Sequence, residues 1–243
     1  MYDAQLLVCA RLDELPWLNA CLRSVKKYWK GSISPIVVLT PDCRSQLPSI
    51  LTELQAYVVF QPLDKHDYIR MTADCYLSAP MVLFMDVHEL FIRECCLETF
   101  TGGSHKPLVS VERYSTGLFR PDADIHCVQA RRWTIDEMLG VLPEFEFTSR
   151  EPMLFYRSSI RKLRDTIEDK NKRPLKMLMQ NVIPAYFSSF NFMAEYCHDR
   201  EQAAYEWVDS NAPYECSTKH FRGVTDCTRG EDLEAVRAIL FEN

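Results

Sequence analysis

The chain reads as an α/β protein, a mostly parallel sheet flanked by helices in a single domain. Three observations predict this. Short, uninterrupted apolar runs alternate with segments whose apolar residues recur at helical spacing. The runs do not alternate with polar residues, as strands buried on both faces require. Finally, the 243 residues are 47% hydrophobic and 26% charged, enough to build one sizeable core, and no linker-like stretch divides them.

Gln5–Cys9 (QLLVC) predicts the first strand. Asp13-Glu14 and Pro16 then suit the positive end of a helix. Leu15, Leu18, Leu22, Val25 and Trp29 form its apolar stripe, and Gly31 stops it. Pro35–Thr40 is the second strand, Ser45–Gln55 a helix and Ala56–Phe60 the third strand. A helix over His66–Ala79 presents Ile69, Ala73, Tyr76 and Leu77, and Met81–Met85 is the fourth strand. Beyond residue 105 the periodicity predicts a strand at Pro107–Val111 and helices at Arg132–Leu142, around Ile160–Ile167, at Asn191–Val208 and at Leu233–Leu240. Residues 106–243 are expected to supply the far wall of a cleft against residues 1–105.

Composition excludes several classes. The net charge of −6 leaves no overall nucleic-acid footprint. No apolar run approaches the ~20 residues of a membrane helix. Met1–Gln5 lacks a basic region, so a secretory leader is not expected and a cytoplasmic location is. The ten cysteines include no C-x-x-C, and several sit within apolar patterns, so most read as reduced core residues. Neither G-x-G-x-x-G after the first strand nor G-x-x-x-x-G-K-[ST] occurs, which argues against a dinucleotide fold and a P-loop.

Ligands of open α/β sheets bind at the carboxyl ends of the strands. Those ends are Ala10-Arg11-Leu12-Asp13, Thr40-Pro41-Asp42 and Asp86-Val87-His88-Glu89. The last is the most informative. In an extended segment Asp86 and His88 point to one side and converge on one ion. A carboxylate with an imidazole suits a Mn²⁺-like divalent cation that also accepts phosphate oxygens. An aspartate capping a turn beside a surface histidine fits the same three residues.

Two stretches resemble the GT-A glycosyltransferases, whose sheet is Rossmann-like. QLLVCARLDELPWLNACLRSV (Gln5–Val25) is similar to their opening, where the first strand ends at nucleotide-contacting residues. YIRMTADCYLSAPMVLFMDVHELF (Tyr68–Phe91) is similar to their helix–strand–Asp-x-Asp block, with His88 where a second aspartate is usual. An Asp-x-His variant occurs in the polypeptide N-acetylgalactosaminyltransferases. Lys219-His220-Phe221-Arg222-Gly223 looks like the late His-Phe-x-Gly segment whose histidine completes the metal shell, and Phe190–Tyr196 resembles the aromatic helix of a GT-A-like group.

The resemblance implies a nucleotide-sugar donor, UDP-linked, with Mn²⁺ (or Mg²⁺) on its diphosphate held by Asp86, His88 and His220. Ala10, Arg11, Asp13, Asp42 and Lys65 would contact the nucleotide, Arg11 or Lys65 adding positive charge at the phosphates. Asp13 and Asp42 equally suit capping and turn formation, and Lys65 simple solvation. An inverting enzyme needs a carboxylate base. Glu195, in an aromatic and Met-containing stretch, or Glu151 would supply it, and Glu195 also fits a surface residue paired with Arg200. Arg157 to Lys176 holds eight basic residues, which read either as a solvated face or as a surface for an anionic acceptor, a glycan phosphate or a hydroxylated DNA base. Trp133, Tyr186 and Phe187 suit stacking on a sugar or base. A nucleotidyltransferase acting on a sugar phosphate and a non-catalytic nucleotide-binding module are the alternatives.

Overall fold

The computed structural model describes residues 3–62, 66–101, 103–113, 125–147, 152–180, 187–209 and 218–220; for 125–128 and 218–220 it describes the backbone. In chain order the elements begin β1 (Ala4–Ala10), α1 (Leu15–Tyr28), β2 (Ser34–Leu39), α2 (Ile50–Glu53), β3 (Tyr57–Phe60), α3 (His66–Met71), β4 (Met81–Phe84) and β5 (Glu89–Phe91). They continue β6 (Leu108–Arg113), α4 (Ile125–Leu139), β7 (Phe145–Glu146), β8 (Met153–Tyr156), α5 (Arg157–Asn171), α6 (Leu175–Gln180), α7 (Ser189–Arg200), β9 (Glu206–Asp209) and β10 (Thr218–His220). These segregate into two compact units, one of residues 1–64, 77–100 and 214–243, the other of 65–76 and 101–213.

The first unit carries the parallel sheet, in the order β3-β2-β1-β4. Every residue of β1 is buried, which is why QLLVC shows no polar alternation. Gln5 is its one polar residue and is buried with partners: its Oε1 accepts from the Ser78 and Ala79 amides at 2.7 and 2.9 Å, satisfying the chain as it enters β4. Helix α1 buries the predicted stripe, with Pro16 in its first turn, and Gly31 (φ +99°) supplies the left-handed turn after it. Trp29 stacks on Phe100 at 5.9 Å and tilts against Phe91, closing the core around β5. β5 pairs antiparallel with β10.

Two predicted helices of this stretch shorten for identifiable reasons. Ser45–Gln55 contains Pro48, which lacks an amide and restricts Leu47, so α2 keeps only four residues. His66–Ala79 divides at Thr72, whose hydroxyl donates to the Tyr68 and Ile69 carbonyls and competes with the helical bonding.

In the second unit β6 lies between β7, antiparallel, and β9, parallel. Helix α7 begins where the Ser188 hydroxyl accepts from the Asn191 amide. The predicted helix over 191–208 ends at Arg200, because Glu206–Asp209 extend to pair with β6. α4 ends at Leu139 before Gly140 (φ +79°), and β8 and α6 carry no distinctive periodicity. The terminal helix expected at 233–240 lies outside the described residues.

Candidate functional site

Neighbouring β1 and β4 run parallel, with the Met85 amide donating to the Leu7 carbonyl at 3.2 Å, and β1 continues beside β2 to Ala10. Past its carboxyl end each strand leaves through a turn of the same construction. After β1, the Glu14 amide donates to the Arg11 carbonyl at 3.0 Å, and the Glu14 carboxylate accepts from the Arg11 amide at 2.8 Å. After β4, the Glu89 amide donates to the Asp86 carbonyl at 3.0 Å, and the Glu89 carboxylate accepts from the Asp86 amide at 3.2 Å. Both glutamates are buried, at 5% and 3% exposure.

The Asp86 turn brings the predicted pair together, though not by strand alternation. Val87 and His88 occupy the middle of a turn rather than an extended segment. Asp86 Oδ1 instead accepts from the His88 backbone amide at 2.9 Å and lies 2.9 Å from His88 Nδ1. This bond raises the imidazole pKa, burial opposes it, and the Asp86 and Glu14 charges add to the rise while Arg11 subtracts. The Trp17 ring meets the imidazole edge to face at 5.5 Å.

The described side chains contain no group of three His, Cys, Asp or Glu able to hold a metal. Asp86 meets His88 as an outer-shell carboxylate meets a metal-binding histidine: it holds Nδ1, which sets the tautomer and plane of the ring for ligation through Nε2, and lies on the Nδ1 side of the ring. The third predicted ligand, His220, lies on β10 directly across from Glu89 in the antiparallel ladder, one residue beyond His88. Its backbone is therefore delivered to this turn.

The other predicted residues scatter around the same edge. Ala10, the buried last residue of β1, pairs with Leu39. The Arg11 guanidinium lies 3.1 Å from Glu14 and 3.6 Å from Asp13, so its charge is shared with two carboxylates and its pKa rises, chiefly through Glu14. Asp13 also lines an open depression of about 480 Å³ with Leu12, Leu15, Pro16 and Asn19. Asp42 is exposed in the first turn after β2. Lys65 and Glu151 lie outside the described residues.

Glu195 belongs to the second unit, on α7. It is not the surface residue paired with Arg200 that the sequence also allowed, since Arg200 binds Asp199 at 2.6 Å. Glu195 is 4% exposed, and its Oε2 is buried without a hydrogen-bond partner among the described residues. Burial, reinforced by Asp199 and Glu144 and opposed by Arg132, pushes its pKa up to about 7. A raised carboxyl pKa means that the folded chain holds the proton more tightly than the unfolded one. Its stabilising share is complete below the ordinary carboxyl range and is lost as pH rises through about 7. Glu195→Gln is therefore expected to gain stability over wild type above pH 7, on the order of 2 kcal/mol, and none at pH 4. Urea unfolding at the two pH values checks this.

The basic segment is largely turned to structural use. Arg164 grips the 2%-exposed Asp74 carboxylate with both terminal nitrogens, Arg161 approaches it at 3.5 Å, and Arg157 donates to the Asp74 carbonyl. Lys162 pairs with Glu201, and Lys170 donates to the Asp136 and Glu137 carbonyls at the end of α4. Lys172, Arg173 and Lys176 remain exposed. Trp133 is exposed, Phe187 is buried in a stack with Phe192, and Tyr186 is outside the described residues.

Glu14, Glu89 and Trp17 escaped the sequence reading. The usable signal was a glutamate three residues after Arg11 and after Asp86, the spacing of a capping box.

No family model matches the sequence, and no curated protein matches it significantly. Solved structures do share its fold. A 4-diphosphocytidyl-2C-methyl-D-erythritol synthase from Anaerococcus prevotii aligns with a TM-score of 0.53 at 12% identity, covering 98% of this chain and 95% of that one. The galactosyltransferase LgtC, in complex with donor and acceptor sugar analogues, aligns at 0.51 with 15% identity, covering 98% and 96%. An active-site mutant of LgtC aligns at 0.54 with 12% identity over 96% and 95%. The chain thus has a GT-A-like fold, mixed α/β with a mostly parallel central sheet flanked by helices.

Proposed function

We propose that this chain is a glycosyltransferase that moves a sugar from a nucleotide donor, UDP-linked, to a glycan hydroxyl. The observation that carries the reading is the Asp86–His88 pair, hydrogen-bonded at 2.9 Å where β4 ends beside β1. The fold supports it, since LgtC shares that fold and its structure holds donor and acceptor sugar analogues.

Asp86 and His88, with His220 as third ligand, would hold Mn²⁺ (or Mg²⁺), which when bound neutralises the charge developing on the departing diphosphate. Arg11 sits at the carboxyl end of β1, paired with Glu14 and Asp13, and would meet the phosphates as a guanidinium donor. Asp13 and Asp42, just past the ends of β1 and β2, would meet the ribose and base. Glu195 is our candidate for the base that takes the acceptor hydroxyl's proton, because a carboxyl poised near 7 can accept it at neutral pH. Glu151 is the second candidate.

The test is a panel of UDP-sugars with a glycan acceptor mixture, followed by UDP release. The reading expects one donor to turn over with Mn²⁺ and to stop in EDTA. Turnover untouched by EDTA, or no turnover with any donor, would count against it. The synthase that shares the fold motivates a second reading, nucleotidyl transfer to a sugar phosphate, which would consume a nucleoside triphosphate and release pyrophosphate. A non-catalytic module would bind nucleotide equally well in EDTA.

A further inference from the structure

We infer that Glu14 and Glu89 are positioning residues, a matched pair of buried clamps that hold the ends of β1 and β4 in the conformations that present Arg11, Asp86 and His88. The inference rests on the proposed donor site for its purpose and on hydrogen-bond geometry for its substance.

Each carboxylate accepts the amide of a residue just past its strand, Arg11 at 2.8 Å for Glu14 and Asp86 at 3.2 Å for Glu89, while its own amide returns to that residue's carbonyl. A turn needs no buried charge to close. Glutamine would reach back to the same amide from the same position, and burying a carboxylate carries a desolvation penalty that a neutral amide avoids. Here the costly solution is used on two adjacent parallel strands.

The Glu89 clamp reaches furthest. Its carboxylate fixes the Asp86 amide, and the Asp86 carboxylate in turn fixes both the His88 amide and its ring. Its backbone lies across from His220 in the β5–β10 ladder. Two residues on, the Phe91 amide donates to Ser24 Oγ on α1, at 3.0 Å, so the segment is pinned at both ends. α1 starts directly after Glu14, whose carboxylate bonds Arg11 and not the helix, and three residues later Trp17 meets the His88 ring. The Glu89 clamp thus bears on the imidazole through its own turn, and the Glu14 turn sets the point where the chain enters the helix that carries the imidazole's aromatic neighbour.

The experiment compares Glu89→Ala with Glu89→Gln, whose amide oxygen can still accept the Asp86 amide. The ligand-free readout is the chemical shift of the His88 ring protons, which the Trp17 ring current displaces. The second readout is the affinity for UDP with Mn²⁺. Glu89→Ala is expected to lose the ring-current displacement and to weaken binding roughly 10- to 100-fold, and Glu89→Gln to keep most of both. A folded Glu89→Ala protein with unchanged His88 shifts would overturn the inference, as would equal losses in the two variants. Should Glu89→Ala not fold, Glu14→Ala tests the other clamp by the same His88 shifts. A wild-type protein that binds neither Mn²⁺ nor UDP would defeat the donor-site reading, while the ring shifts would still decide the clamps.

Discussion

Replacing Asp86 and His88 together by alanine is expected to lower donor turnover at least roughly 100-fold. Both side chains are partly exposed, and neither fills the core beneath them. The loss should therefore come with a modest change in stability, within about 1 kcal/mol. His88→Asp, which restores the commoner pair of acids, is expected to recover part of the activity. Steady-state UDP release and a melting curve on each variant check both halves. A double variant that turns over donor like wild type would leave the pair as an ordinary capped turn.

The largest stability effect belongs to Asp74. Its carboxylate is buried and takes two hydrogen bonds from Arg164, itself mostly buried, with Arg161 adding a third contact. Removing one partner of a buried ion pair strands the other's charge and costs about 3–5 kcal/mol. For a domain of this size that is a fall in Tm of roughly 6–20 °C for Asp74→Ala. Asp74→Leu combined with Arg164→Met removes both charges and is expected to recover much of the loss. Thermal unfolding of the single and double variants decides it. A single variant as stable as the wild type would show that the arginine face of α5 does not depend on this carboxylate.

What was legible in the sequence follows from range. QLLVC and MVLFM announce buried strands by composition alone, and the α1 stripe by spacing, so β1, α1 and β4 fall where expected. Asp86 and His88 were visible as a strand running into polar residues. Their geometry was not, because a turn closed by Glu89 and a pleated strand place two residues on one side for different reasons. Glu14 reads as an acid at the start of a helix and Glu89 only as a neighbour of the Asp86–His88 pair; the three-residue spacing from Arg11 and Asp86 is there in the sequence, but not the burial that goes with it. The basic helix misled most. Its arginines resemble a solvated or anion-binding face until Asp74, 90 residues before Arg164, is found packed against them. Likewise Glu206–Asp209 continue a helical pattern locally, and only pairing with β6 makes them a strand.

The turn after β4 is proposed to grip a divalent cation. Mn²⁺ broadens nearby nuclear resonances through its unpaired electrons, and the chain has six histidines to report on it. On titrating Mn²⁺ into the ring-labelled protein with UDP present, the His88 resonances should broaden first, joined by those of His220. His88 resonances that stay sharp while His66, His105 or His198 broaden would contradict the claim.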